Sequence, residues 1–106
     1  MNGDWVRLAP LERLPRGQAV PVDLDGRLIA LFHTDRGLRA VDGDCPHAGG
    51  ELSDGSFDDT SVTCPRHGWC YDLRTGERRD RRGQPVNVYP TRVIDDWIWL
   101  NCPATG

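Results

Sequence analysis

The sequence contains no lysine: all thirteen basic residues of the 106-residue chain are arginine, and the formal net charge is −3. This mildly acidic balance argues against a nucleic-acid partner. Long apolar stretches are missing too, since no run reaches the eighteen residues that a membrane-spanning helix needs. The segment from Met1 to Trp5 has neither a basic nor a hydrophobic stretch of the kind found in export signals. These absences predict a soluble, cytoplasmic protein without a membrane anchor.

Sustained helical periodicity is also absent, whereas short β-rich runs recur between turn-forming residues. The predicted strands cover 5–7, 19–24, 27–32, 38–41, 61–63, 86–89 and 97–100. Asp25-Gly26, between two apolar runs, predicts a two-residue β-hairpin. Only Pro10 to Leu14 suggests a helical turn. The sequence therefore predicts an all-β protein.

The strand pattern predicts one domain over residues 1–106, a length typical of a single domain. Residues 1–42 and 84–106 are predicted to form a base of antiparallel sheets, and residues 43–76 an inserted subdomain. The residues expected in the core of the base are Trp5, Leu24, Ile29, Leu31, Val41, Val88, Val93, Ile98 and Leu100. Trp97 and Trp99 are expected on the opposite strand face from Ile98 and Leu100.

Cysteine and histidine are scarce, with four and three copies, yet four of these residues fall into two short motifs. The motifs are Cys45-Pro46-His47 and Cys64-Pro65-Arg66-His67, and sixteen residues lie between them. Each motif offers one sulfur and one nitrogen, so two thiolates can reach one iron and two imidazoles the other, as in a Rieske [2Fe–2S] centre. Neutral imidazoles in place of thiolates raise the reduction potential, which suits an electron carrier.

Two other uses of these residues compete with the cluster. A structural zinc ion also takes two Cys and two His, but zinc fingers usually pair Cys with Cys and His with His. The interleaved order favours the cluster, and the zinc alternative predicts a colourless protein. A disulfide between Cys45 and Cys64 would leave both histidines unexplained. Cys70 and Cys102 are interpreted as packing residues, because a reducing cytoplasm disfavours a disulfide between them.

At these motifs the chain resembles the Rieske ferredoxin family. The resemblance extends to three flanking runs, 52–55, 71–76 and 88–93. It implies that Cys45 and Cys64 bind the inner iron of one [2Fe–2S] cluster, and that His47 and His67 bind the outer, solvent-facing iron. The implied fold is the Rieske iron–sulfur fold, a small antiparallel β-sandwich or partly open barrel that carries an inserted cluster-binding subdomain.

The residues near the motifs bear on the reduction potential. High-potential family members have two further Cys and a Ser at the positions of Gly50, Arg66 and Trp69, so the resemblance implies a potential at the low end of the Rieske range. Tyr71 stands where those members keep a Tyr that donates to a cysteine sulfur. If its hydroxyl reaches Cys45 Sγ, the potential lies somewhat above that of ferredoxins with Phe at this position. A half-buried Tyr that only packs is the alternative.

Other residues of this region are expected around the cluster. Arg66 and Glu51 are predicted to flank the exposed imidazoles, and Leu52 to form an apolar cover. Trp69 either shields the cluster or packs under the second motif. The charged run 78–82 is interpreted as a solvated loop, with a docking patch for an anionic partner as the alternative.

The resemblance implies a one-electron carrier that is reduced by a flavin-dependent ferredoxin reductase and reduces a terminal oxygenase. No dinucleotide-binding fingerprint and no mononuclear-iron triad stands in the sequence, so the chain is not expected to be the oxygenase or any other enzyme. A free monomer is expected. The alternative is a bound subunit similar to the small subunit of assimilatory nitrite reductase.

Overall fold

The computed structural model describes residues 4–24, 26–44, 50–66, 68–79 and 83–102. The strands are β1 (Asp4–Pro10), β2 (Ala19–Leu24), β3 (Arg27–Thr34), β4 (Gly37–Asp42), β5 (Ser56–Phe57), β6 (Ser61–Thr63), β7 (Cys70–Asp72), β8 (Val88–Tyr89), β9 (Thr91–Ile94) and β10 (Trp97–Cys102). Two short 3₁₀ helices span Leu11–Arg13 and Leu52–Asp54. Within these described ranges no helix has the length and apolarity to cross a membrane. The all-β prediction is confirmed.

The strands form three antiparallel sheets. The first has the order β1-β10-β9, the second β2-β3-β4-β8 and the third β5-β6-β7. The strands of the first two sheets come from both ends of the chain, whereas the third sheet is built from residues 56–72.

The predicted hairpin joins β2 and β3. Leu24 pairs with Arg27, so the turn contains two residues, and Gly26 has a φ of +85°. The Gly26 backbone N–H donates to Asp23 Oδ1 at 2.8 Å. A positive φ costs glycine little, which explains why this position holds one. Asp25 itself lies outside the described residues.

Strand β3 forms the middle of the core because both of its faces are covered. Side chains alternate along a strand, so Ile29 and Leu31 point to one face, and Ala30 and Phe32 to the other. The first pair packs with Ile98 and Leu100 of β10, in a cluster that also contains Leu14, Ala40 and Tyr89. The second pair packs with the third sheet, in a cluster that contains Val41, Leu52, Val62, Cys64, Tyr71, Leu73 and Val86.

Three differences from the predicted base follow from this layering. Val93 is 45% exposed, not in the core, because β9 is the outer strand of its sheet. Ala30 and Phe32 are fully buried, although the predicted core included only Ile29 and Leu31 of this strand. Trp5 is half-buried, and the Arg92 guanidinium lies 3.8 Å from the centre of its ring. Ile98 and Leu100 are buried as predicted, with Trp97 and Trp99 half-buried on the other face.

Aspartate side chains fix two turns of the third sheet. Asp58 Oδ1 accepts the backbone N–H groups of Thr60 and Ser61, each at 2.8 Å. These backbone hydrogen bonds hold the pKa of Asp58 below its usual value. Asp72 Oδ1 in the same way accepts the N–H groups of Arg74 at 2.7 Å and Thr75 at 3.1 Å. The aspartate side chains thus accept hydrogen bonds from turn N–H groups that lie beyond the pairing of these two- and three-residue strands.

Candidate metal centre

Cys64 stands at the start of the loop that joins β6 and β7. The two strands pair up to Thr63 and Cys70, and the loop is closed by hydrogen bonds at its base. The Cys64 N–H donates to the Trp69 carbonyl at 2.7 Å, and the Gly68 N–H donates to the Cys64 carbonyl at 3.1 Å. Gly68 has a φ of +75°, a conformation that favours glycine. The described part of the second motif, residues 64–66, thus lies on a short, closed hairpin loop.

The loop with the first motif is closed in a comparable way. Asp44 and Glu51 form an antiparallel bridge, and the Leu52 N–H donates to the Gly43 carbonyl at 2.8 Å. The Gly43 N–H donates in turn to the Leu28 carbonyl of β3 at 2.8 Å. Both ends of this loop are therefore fixed to the core of the protein.

The two loops meet at Gly50. A methyl group added to its backbone would lie 3.3 Å from Cys64 Sγ and 2.7 Å from Arg66 Cγ, so any other residue here would displace the Arg66 side chain and press against the sulfur. Cys64 is 1% exposed, while Pro65 and Arg66 beside it are exposed. The buried sulfur of Cys64 therefore lies next to exposed surface at Pro65 and Arg66, which we call the exposed rim. Little space is left for a side chain at position 50 between the loops.

This arrangement fits an iron–sulfur cluster on chemical grounds. The two motifs provide two sulfur and two nitrogen donors, the set that a Rieske cluster takes. In the described part of the chain, the close approach of Gly50 to Cys64 Sγ brings the first loop against the predicted cysteine ligand of the second. The assignment of Cys64 as a ligand stays a prediction, as does that of Cys45, His47 and His67, which lie outside the described residues.

The side chains around Cys64 are apolar. Cys64 belongs to the buried cluster that contains Leu52, Val62 and Tyr71, all 0% exposed. Tyr71 is therefore fully buried, and the alternative of a half-buried side chain is wrong. Burial in an apolar layer isolates a bound group from water and influences its potential. The predicted contacts of Tyr71 with Cys45, and of Leu52 with the cluster, depend on residues outside the described ranges.

Trp69 connects the second loop to the charged run. The Arg78 guanidinium lies 3.2 Å from the centre of the Trp69 ring, and the Trp69 side chain packs against the same buried cluster as Cys64. A methyl group on Gly83 would lie 2.9 Å from Arg78 Cδ, so the chain passes closely over this stack. The interpretation of the run as a solvated loop is therefore wrong for Arg78, whose side chain is half-buried on an indole.

A hydrogen-bond network that the sequence did not predict supports the base of the first loop. Tyr89 Oη donates to Asp42 Oδ1 at 2.5 Å, and Asp42 Oδ2 accepts the Asn87 N–H at 2.8 Å. Burial raises the pKa of Tyr89 to about 12, and the hydrogen bond to the Asp42 carboxylate adds to the shift. Asp42 directly precedes the segment that leads into the first motif. The sequence signal was a Tyr in a predicted strand, which does not indicate its distant partner.

Comparisons with known proteins agree with this geometry. A model of the Rieske [2Fe-2S] domain matches residues 4–90. The ferredoxin component of naphthalene 1,2-dioxygenase/salicylate 5-hydroxylase systems from Ralstonia is 30% identical over 100 residues, which cover 89% of this chain and 96% of that protein.

Two solved structures share the fold over nearly their whole length. One is a protein from Mycobacterium tuberculosis named as the small subunit of an NADH-dependent nitrite reductase. It has a TM-score of 0.86 and 30% identity, over 96% of this chain and 97% of that one. The other is the ferredoxin of carbazole 1,9a-dioxygenase from Nocardioides aromaticivorans, with a TM-score of 0.84 and 27% identity, over 93% and 98%. The predicted Rieske fold is thus confirmed. This chain belongs to the Rieske [2Fe-2S] domain family and carries one such cluster.

Proposed function

We propose that this protein is a one-electron carrier that takes an electron from a flavin-dependent reductase and delivers it to a terminal oxygenase. The observation that carries the proposal is the closure of two loops at Gly50 and Cys64, with a buried sulfur beside an exposed rim. When bound, the cluster supplies reversible one-electron redox chemistry. The protein holds it at the surface, where a partner can approach.

In the proposed ligand set, Cys45 and Cys64 bind one iron and His47 and His67 bind the other. Residues 1–42 and 84–106 act as a rigid base, and residues 43–76 as the cluster-binding subdomain. The two loop bases support this division, because the first is bonded through Gly43 to Leu28 of β3 and the second is closed on itself at the end of the β6–β7 pair. Such preorganisation keeps the ligands at constant positions while the charge on the bound group changes.

Partner docking is proposed at the exposed rim. Arg66 and Glu51 are both exposed and lie on the two loops, so they present charges of opposite sign to an approaching protein. Rim charges mainly influence association rates and orientation. The family supports the choice of partner: the Ralstonia relative is the ferredoxin component of a dioxygenase system. A structure that shares this fold is a complex of oxygenase and ferredoxin in carbazole 1,9a-dioxygenase.

The ligand assignment can be tested with a matched pair of cysteine variants. Neither Cys64 nor Cys70 forms a disulfide within the described residues, and they stand at the two ends of the same hairpin loop. Cys64→Ser is expected to abolish the visible absorption of the cluster and the rhombic electron paramagnetic resonance signal of the dithionite-reduced protein. Cys70→Ser is expected to keep both. A Cys64→Ser protein with an unchanged signal, or a colourless wild-type protein with stoichiometric zinc, would contradict the proposal.

A second function is favoured by the likeness to the Mycobacterium tuberculosis protein: a bound small subunit of a larger reductase. Purification under native conditions distinguishes the two functions. A carrier is expected to elute as a free monomer, with a chain mass of 11.9 kDa and its cluster bound. Stable elution with a much larger enzyme would contradict the carrier and support the subunit.

A further inference from the structure

A cleft away from the two loops is lined by an unusual number of arginines. It lies between the β3–β4 turn, the β5–β6 turn and the turn after β7, and has a volume of about 270 Å³. None of the residues around Cys64 contributes to it. We refer to it as the arginine cleft; its lining residues are Arg36, Arg39, Asp59, Thr60, Asp72, Arg74 and Arg79.

One carboxylate oxygen of each aspartate in the arginine cleft, and the Thr60 hydroxyl, already accept hydrogen bonds. Asp59 Oδ1 accepts the backbone N–H of Asp35 at 2.8 Å. Asp72 Oδ1 accepts two backbone N–H groups of the turn that follows it. Thr60 Oγ1 accepts from Arg79 Nη1 at 3.1 Å. Fixed in this way, the two carboxylates shape the cleft without pairing with its arginines.

Three of the four guanidinium groups, in contrast, have no side-chain partner in the described ranges. Arg36, Arg39 and Arg74 make no side-chain hydrogen bond or ion pair with any residue of the described ranges. Arg39 is the most enclosed of the three, and its buried Nε has no hydrogen-bond acceptor in those ranges. Like charges in one concave site repel one another unless an anion lies between them. The cleft therefore has more guanidinium donors than its two carboxylates can balance.

We propose that the arginine cleft binds one small, doubly charged oxyanion of the phosphate class. Four guanidinium groups face two carboxylates, which leaves two positive charges for a ligand to balance. A phosphate dianion matches that charge and presents several oxygens, and the planar fork of arginine donates to phosphate oxygens in pairs. The volume accommodates the anion with space for a small organic substituent, so the ligand is either free phosphate or a small phosphomonoester.

Isothermal titration calorimetry of the cluster-containing protein with inorganic phosphate, in chloride buffer at constant ionic strength, tests the proposal. Wild type is expected to bind one phosphate saturably. Arg39→Gln is expected to weaken the affinity at least tenfold, because it removes the most enclosed guanidinium. Arg13→Gln is the matched control: Arg13 is exposed, carries the same charge and does not line the cleft. It is expected to change the affinity less than twofold.

Arg74→Gln provides a second test at an exposed turn position, where a substitution is well tolerated; unchanged visible absorption shows that each variant is folded. Glycerol phosphate in place of inorganic phosphate identifies the source, since tighter binding indicates a phosphomonoester and weaker binding free phosphate. The proposal is overturned if wild type shows no saturable binding, or if Arg74→Gln and Arg13→Gln weaken binding equally. Equal losses would indicate only the general charge of the surface.

Discussion

The two buried tyrosines lie in two regions that are stabilised in different ways. Tyr89 belongs to the cluster between the first two sheets, whose strands β1, β3 and β10 have six to eight residues. Tyr71 belongs to the cluster with the third sheet, whose strands have only two or three. The first region depends on long backbone ladders, and the second on aspartate turns and closely packed glycines. The candidate metal centre lies in the second region, where little regular structure is available.

One glycine from each region illustrates the difference in packing. A methyl group on Gly26, in the β2–β3 turn, would meet nothing within 4 Å; the residue is needed there only for its positive φ. Gly55, before β5, has an ordinary φ of −81°, yet a methyl group would lie 2.1 Å from the Thr63 carbonyl oxygen. In this pair, Gly55 near the candidate centre provides space, whereas Gly26 in the β2–β3 turn provides conformation.

The largest expected effect comes from Gly55→Ala. Because the methyl group meets a backbone atom, the strand that precedes Cys64 must shift, and we expect a loss of about 3 kcal/mol of stability together with loss of the cluster absorption. Gly26→Ala, strained in φ but unobstructed, is expected to lose about 1 kcal/mol and keep the cluster. Urea unfolding and visible spectra measure both. Equal losses of unfolding free energy in the two variants would contradict the proposed difference between the regions.

A smaller effect is expected from Tyr89→Phe, and it depends on pH. The folded state favours the neutral phenol, so this stabilisation is complete below about pH 10 and is lost as the pH rises towards about 12. We expect the decline to reach at most about 2 kcal/mol after solvent screening. Without lysine, no amine side chain titrates in this interval. Urea unfolding between pH 9 and 12 should show the decline in wild type and a weaker one in Tyr89→Phe.

The smallest expected effect is that of Tyr71→Phe on the midpoint potential. If the buried hydroxyl donates to a cluster ligand, its removal destabilises the reduced state by the worth of one hydrogen bond, roughly 20–60 mV towards lower potential. Spectroelectrochemical titration measures this shift. Tyr89→Phe is the control and is expected to leave the midpoint unchanged. An unchanged midpoint in Tyr71→Phe would remove this residue from those that tune the cluster.

The sequence predicted the strands of the first two sheets better than those of the third sheet, which carries the candidate metal centre. Apolar runs and Asp-Gly turns indicated β2, β3 and β4 because their pairing is local, with β2 found over the predicted residues 19–24. Strands β5, β7 and β9 were missed, since runs of two to four residues hardly show a period. Only Ile29 and Leu31 of β3 were predicted in the core, although a strand covered on both faces also buries the residues between them.

At the centre, the sequence predicted the chemistry of the donors but not what supports them. Spacing and residue type identified the two motifs, since metal chemistry restricts the ligands strongly. The Asp42–Tyr89 hydrogen bond and the Arg78–Trp69 stack join residues that the linear pattern does not relate. Such contacts depend on how loops and sheets pack in three dimensions.

The position of Trp69 has an optical consequence. Three of the four tryptophans, Trp5, Trp97 and Trp99, lie in strands β1 and β10 of the first sheet, and Trp69 alone stands beside the second loop. Its carbonyl accepts the Cys64 N–H, and its ring lies against a guanidinium. With the other three replaced by phenylalanine, the emission of this single indole would report the closing of the loop during cluster insertion. The protein thus contains its own fluorescent probe at the site where its cofactor is assembled.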